Sequence, residues 1–175
     1  MFNNAGFGLN GELCEGDLNQ QLKQIDVNCR ALVLLTYEIG KRMKDQGRGD
    51  ILNVASIGGL SPTPYYAVYG ATKAFVISFS QALSAELKEY GVNVKVICPG
   101  ATNTEFASVS NFRGTPPGNG QLQSAGEVAE EAIRGLSSQK NMIIPGAVNR
   151  ISVIIMRMLP RSVKLAAAAK ALRPI

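Results

Sequence analysis

The stretch "YYAVYGATK", residues 65 to 73, places three tyrosines and one lysine within nine positions. Tyr69 and Lys73 stand four apart, a spacing that stacks two side chains on one face of a helix. A phenol beside an ammonium group has a reason to lose its proton more readily, because the positive charge favours phenolate. Unperturbed tyrosine titrates near about 10, so acid or base work near neutrality needs such a downward shift. Tyr65 and Tyr66 have no lysine four residues on and are expected to be packing or substrate-loop residues.

The rest of the composition narrows the chemistry. There is no histidine among the 175 residues, which excludes Ser-His-Asp and Cys-His nucleophiles and the common histidine-containing zinc sites. Proton transfer falls to Tyr, Lys or carboxylates. Cys14, Cys29 and Cys98 form neither a CxxC pair nor an even framework, so a reducing cytoplasm without disulfides is expected, with Cys29 and Cys98 packed. The opening "MFNNAGFGLNGE" lacks the basic start and apolar run of a signal peptide, and no stretch reaches about 18 apolar residues. A net charge of +5 is too modest for a nucleic-acid footprint. The basic residues near the end, Arg150, Arg157, Arg161, Lys164, Lys170 and Arg173, have no acidic neighbours in sequence. That segment is read as a solvated or subunit-facing helix in preference to a lipid-contacting one.

Apolar spacing and capping residues predict the elements that must hold Tyr69 in place. A long helix over 17–47 opens on Asp17, with an interruption allowed, and is followed by a β-branched strand over 49–56. A helix over 65–91, apolar or small on most faces, ends at Gly91, and a strand follows over 92–100. A Ser-x-x-Glu capping box starts a helix over 124–136. A last strand covers 141–146, before a helical segment broken at Pro160. Strands separated by helices of this length imply parallel β-α-β units and an open α/β sheet. The loop over 101–123 has the length and composition of a functional lid or a disordered segment, and Phe106 and Phe112 would either clamp an apolar substrate or anchor the loop to the body. Ligands of open α/β sheets bind beyond the carboxyl ends of the strands, which here are "NNAG" (3 to 6), Ser56 with "IGG", and "CPGATNT" (98 to 104).

These segments together resemble the short-chain dehydrogenase/reductase family: "NNAG", Asn28 in "DVNCRA", Ser56 in "NVAS", "YGATK", and "PGATNT", in order and register over residues 3 to 104. The segment "AEEAIRGL" with "NMIIPG" extends the similarity to about residue 146. "PGAVNR" and the basic tail are similar to a branch of ketoacyl reductases. The resemblance implies a Rossmann-like doubly wound parallel sheet and interconversion of a carbonyl and a secondary alcohol with NADP or NAD. It implies that Tyr69 is the acid or base, that Ser56 orients the reacting oxygen, and that Lys73 lowers the Tyr69 pKa and binds the nicotinamide ribose. Asn28 would hold a water of the proton relay and disrupt its own helix. Asn4, Ala5 and Gly6 would line the adenosine side of the cofactor cleft, and Pro99, Gly100 and Thr104 the nicotinamide end. The implied partners are a small apolar carbonyl or alcohol substrate and further copies of the chain, assembled through the 17–47 and 65–91 helices.

A complete member of that family opens with a strand, a TGxxxGxG turn and further β-α units before its NNAG, which here stands at residue 3. The expectation is therefore an N-terminally truncated sheet. Residues 1–146 would form a partial catalytic domain, and 147–175 its basic helical extension. Unpaired apolar edges and weakened cofactor binding would follow. The alternative expectation is a catalytically inactive remnant that acts only by association with partner subunits.

Overall fold

A computed structural model describes residues 1–110 and 122–174. Four strands run parallel in the order β1-β2-β3-β6: β1 (Phe2–Asn3), β2 (Gly49–Val54), β3 (Val92–Ile97) and β6 (Met142–Ile143). Asn3 lies opposite Asn53, Val54 opposite Ile97, and Ile97 opposite Ile143, so the carboxyl ends align at one edge. The outer side of β1 has no strand beside it among the described residues, and Phe2 is 61% exposed there.

The strands are shorter than predicted because the chain leaves the sheet to build loops. After Val54 and Ile97, two further backbone bonds, Ala55 N–H to Ile97 O at 2.8 Å and Ile57 N–H to Pro99 O at 2.9 Å, keep the departing segments together. Beyond Ile143 comes Pro145, which has no N–H to give a ladder.

The long helix predicted over 17–47 is interrupted. Asp17 accepts from Asn19 N–H at 2.8 Å and starts α1 (Leu18–Ile25). A π-helical turn over Asp26–Ala31 then leads into α2 (Leu32–Asp45). α3 (Ala67–Leu87) runs through a 3-10 turn to Gly91, whose φ of 69° is a left-handed stop that glycine adopts at least cost. The lid segment holds two-residue strands β4 (Thr102–Asn103) and β5 (Gln123–Ser124), which pair with each other, and the single-turn helix α4 (Phe106–Val109). Phe112 lies outside the described residues. α5 (Ala125–Leu136) carries the predicted capping box, with Ser124 Oγ accepting from Glu127 N–H at 3.2 Å. α6 (Ala147–Met158) and α7 (Arg161–Leu172) follow, separated at Pro160.

Helices cover both faces of the sheet. On one face Val76 and Ile77 of α3 and Leu32 of α2 pack with Val96 and Cys98, while Met43, Leu83 and Leu87 pack on Ile51, Val92 and Val94. On the other face Ala132, Val128 and Leu136 of α5 pack on Leu52 and Ile97. Ile51 and Leu52 of β2, and Val96 and Ile97 of β3, are buried on opposite faces of the sheet, although Asn53 and Lys95 interrupt the apolar pattern of the two strands. Each such Val, Ile or Leu contributes about 1.5–3 kcal/mol before entropic costs. The Rossmann-like α/β architecture is thus present, with the interstrand helix α3 carrying Tyr69 and Lys73 across the sheet's carboxyl edge.

Candidate active site

The π-helical turn holds Asn28 near its middle. Asn28, buried, turns its amide onto the loop after β1: Oδ1 accepts from Phe7 N–H at 3.1 Å, and Nδ2 donates to Phe7 O at 2.9 Å. The same Nδ2 donates to Thr72 Oγ1 at 3.0 Å, and the Thr72 hydroxyl donates to Tyr69 O at 2.8 Å. Asn28 therefore ties the β1 loop to the helix turn that bears Tyr69. Widened turns of this kind occur mostly where a helix serves a site.

Ser56 and Tyr69 meet at Gly58. Ser56 Oγ accepts from Gly58 N–H at 3.1 Å, and a Cβ placed on Gly58 would lie 3.4 Å from Ser56 Oγ and 3.8 Å from Tyr69 Cε1. Rings enclose the rest of Tyr69: Tyr66 lies edge-on with centroids 5.8 Å apart, and Phe106 of the lid at 5.2 Å. Burial pushes the Tyr69 phenol up to about 12; a hydrogen bond with Ser56 draws it partway back, and Tyr66 raises it slightly. The downward shift expected from Lys73 is not produced here. Lys73 Nζ donates to Val54 O at 2.9 Å and stands 5.8 Å from the centroid of the Tyr69 ring, and burial pushes its own pKa down to about 8. Cys29 and Cys98 draw it back upward.

The cofactor-side residues divide into two groups. Gly6 closes on the site: a Cβ there would lie 2.9 Å from Asn28 Oδ1 and 3.2 Å from Lys73 Nζ, so only glycine leaves the gap above the ammonium open. Asn4 and Ala5 are exposed beside it at the carboxyl end of β1. Pro99 holds the Ser56 loop through its carbonyl, and Gly100 fits against the Asn149 amide, where a Cβ would collide. Thr104 is exposed, and its Oγ1 accepts from Phe106 N–H at 3.3 Å, starting the turn that carries Phe106 onto Tyr69. A nicotinamide ribose fits beside Lys73, where Gly6 leaves space next to the ammonium; both amide hydrogens of Asn28 are already given to Phe7 O and Thr72 Oγ1. The described residues form no glycine-rich turn at a helix N-terminus of the kind that holds a pyrophosphate.

The family model for short chain dehydrogenase matches residues 1–112. The chain belongs to the short-chain dehydrogenase family. This short-chain dehydrogenase is 34% identical over 132 residues to the 7beta-hydroxysteroid dehydrogenase of Mediterraneibacter gnavus, a match covering 74% of this chain and 49% of that protein. It is 28% identical over 144 residues to a ketoacyl reductase of Nostoc sp., covering 82% and 50%. Among solved structures, the short-chain dehydrogenase of Sphingobium yanoikuyae in complex with NADPH superposes with a TM-score of 0.77 at 28% identity, over 92% of this chain and 65% of that one. The chain spans about half the length of the curated relatives it matches.

Several residues of this short-chain dehydrogenase that shape the site were not singled out from sequence. Gly8 is one: a Cβ there would lie 2.9 Å from both Tyr69 Cδ2 and Phe106 Cζ, so the Tyr69 ring sits where a side chain would be. Thr72 and the backbones of Phe7 and Val54 are others. Asn3, Asn53, Thr36 and Ser80 form a buried ladder, Asn3 Nδ2 donating to Thr36 Oγ1 at 3.0 Å and Asn53 Oδ1 at 2.8 Å, and Asn53 Nδ2 to Ser80 Oγ at 2.9 Å. A polar residue at an inward strand position is the only signal that could have found it, and that signal names no partner. Tyr66, read as packing, is buried with its hydroxyl 3.1 Å from Ser110 Oγ. Tyr65 holds a φ of 62°, and its carbonyl accepts from Gly11 N–H at 2.8 Å.

Proposed function

We propose that Tyr69 is the acid/base of an oxidoreductase site that interconverts a carbonyl and a secondary alcohol with NADP or NAD. The observation that carries this reading is the meeting of Ser56 and Tyr69 at the sheet's carboxyl edge, with Lys73 and Asn28 directly behind. Burial holds the phenol near 12, which keeps it protonated but makes it a weaker acid than free tyrosine, so the reading rests on the placement of Ser56 and Tyr69 and not on a lowered pKa. Ser56 Oγ would share that oxygen and fix its direction. Lys73, beside the gap at Gly6, would bind the nicotinamide ribose, and Asn28 would hold a water of the proton relay; Asn4 and Ala5 would continue the cleft, and Pro99, Gly100 and Thr104 would border the nicotinamide. When bound, the cofactor supplies the hydride. The chain's part is to place the carbonyl carbon at near-attack distance and to protonate its oxygen. Phe106 and Tyr66 surround Tyr69 with apolar surface, which supports a small apolar carbonyl or alcohol as substrate.

Association between copies has an observation of its own. α1 and α2 expose Leu18, Leu22, Leu34, Leu35 and Tyr37, each at least half bare, and a homo-oligomer would cover this face.

The decisive experiment uses a chain extended to the length of its relatives, with oxidation of NADPH or NADH followed in the presence of apolar ketones. Tyr69→Phe should lower turnover by about 10²–10⁴-fold while cofactor binding persists; full turnover in that variant would sink the assignment. The 175-residue chain by itself tests the inactive-remnant alternative. A stable oligomer without saturable binding of either cofactor would support association as its role, and ketone-dependent turnover would exclude it.

A further inference from the structure

Charge is divided unevenly along the chain. Residues 1–131 carry ten Lys or Arg against thirteen Asp or Glu, whereas residues 132–175 carry eight Lys or Arg and no acidic residue. That cationic quarter ends in α6 and α7. α6 rests on the body through Val153, which is buried, and through Asn149, whose Nδ2 donates to Gln123 Oε1 at 2.9 Å and Pro145 O at 2.8 Å. At about 100° per residue, Val148, Ile151, Ile154, Ile155 and Met158 fall on a single stripe on the opposite side. All five are more than half exposed. The helix thus turns its apolar stripe directly away from the protein.

From Arg150 on, the cations of this segment lie on α6 and α7, with Arg173 at the end of α7. Arg150 is held by Glu131 at 3.1 Å and stays with the body. Among the described residues no ion pair involves Arg157, Arg161, Lys164, Lys170 or Arg173. No helix of the described residues is long and apolar enough to cross a membrane. A short helix with one bare apolar stripe, in a segment whose cations outnumber its acids eight to none, has the character of an interfacial helix.

We propose that α6, with the cations of α7, docks on an anionic lipid surface, with Ile151 and Ile155 at the centre of the immersed stripe. Charge complementarity decides the occupant. A second copy seated on this face about a two-fold axis would bring together two segments with no acidic residue to pair their cations. The exposed face of α1 and α2, by contrast, mixes signs, with Asp26 and Arg30 paired at 3.7 Å and Lys23 and Glu38 nearby in sequence, as a contact between copies tolerates. The sequence reading preferred a solvated or subunit-facing tail; the outward stripe, which needs the tertiary placement of α6, reverses that preference.

Vesicle flotation of the 175-residue chain tests the proposal, with phosphatidylcholine vesicles compared with vesicles also containing phosphatidylglycerol. The protein should float with the anionic vesicles and not the neutral ones, and raised salt should release it. The double variants Ile151→Glu/Ile155→Glu and Arg157→Glu/Arg161→Glu should each weaken binding about tenfold or more, with unchanged far-UV circular dichroism. The charge-reversed pair keeps the test decisive if the isoleucine pair fails to fold. Equal flotation with neutral vesicles, no flotation, or binding that survives both variants would overturn the proposal. So would a dimer that Ile151→Glu/Ile155→Glu disperses.

Discussion

The Asn28 side chain bonds both polar groups of one residue, Phe7, accepting from its N–H at 3.1 Å and donating to its carbonyl at 2.9 Å. A single buried amide therefore pins the loop that leaves β1. Asn28→Ala leaves the Phe7 N–H and carbonyl without these partners and removes the donor to Thr72. A loss of about 2–3 kcal/mol is expected. Urea midpoints of the two proteins measure it, and a loss below about 0.5 kcal/mol would mean that water replaces the amide without cost.

The buried ionisable groups give stability a defined pH profile. Lys73 is pushed down to about 8 from 10.5, so between these values the unfolded chain holds a proton the folded chain has released, and stability rises with pH. Lys95, also pushed down by burial, acts in the same direction. Cys98 is pushed up by burial from 9.0 to about 12 and Tyr69 from 10.0 to about 12, so each favours the folded state at low pH and loses that advantage as pH climbs towards 12. Stability should increase from pH 8 to 9, flatten to about 10, and fall beyond. Denaturant titrations across this range test the profile. Lys73→Met should remove most of the initial rise, and a rise of undiminished slope in that variant would show that Lys73 is not its source.

Gly8 touches the ring proposed to do the chemistry. Gly8→Ala would place a methyl group 2.9 Å from both Tyr69 Cδ2 and Phe106 Cζ, and one ring has to move. An overpacking cost of about 1–3 kcal/mol is expected. Phe106 sits in a four-residue turn, whereas Tyr69 is on the 21-residue α3, so Phe106 should yield. In a double-mutant cycle Phe106→Ala should then rescue much of the Gly8→Ala loss. Strict additivity of the two changes would contradict the contact.

The start of α5 offers a local test. Ser124 Oγ accepts from Glu127 N–H, while Glu127 Oε2 accepts from Ser124 N–H at 2.8 Å. Ser124→Ala should cost about 1 kcal/mol, seen as a lowered thermal midpoint. An unchanged midpoint would mean that α5 is held by its packing on Leu52 and Ile97 alone.

By itself the sequence determined the alternation of helices and strands, the parallel sheet, the capping of α5 and the stop at Gly91, because each depends on residues a few positions apart. It also named the candidate site residues: Asn28, Ser56, Tyr69 and Lys73 stand at the spacings of the family resembled, and helical period alone puts the last two on one face. Tertiary structure decided what those residues touch. Lys73 gives its hydrogen bond to Val54 O, 19 positions away, Gly8 makes room for the Tyr69 ring from 61 positions away, and burial raises the Tyr69 phenol instead of lowering it. The same holds for the apolar stripe of α6: its spacing was in the sequence, but which side faces solvent depends on where Asn149 and Val153 meet the body. Local pattern encodes periodicity and turns, whereas dielectric environment, contact and exposure arise only when distant segments pack.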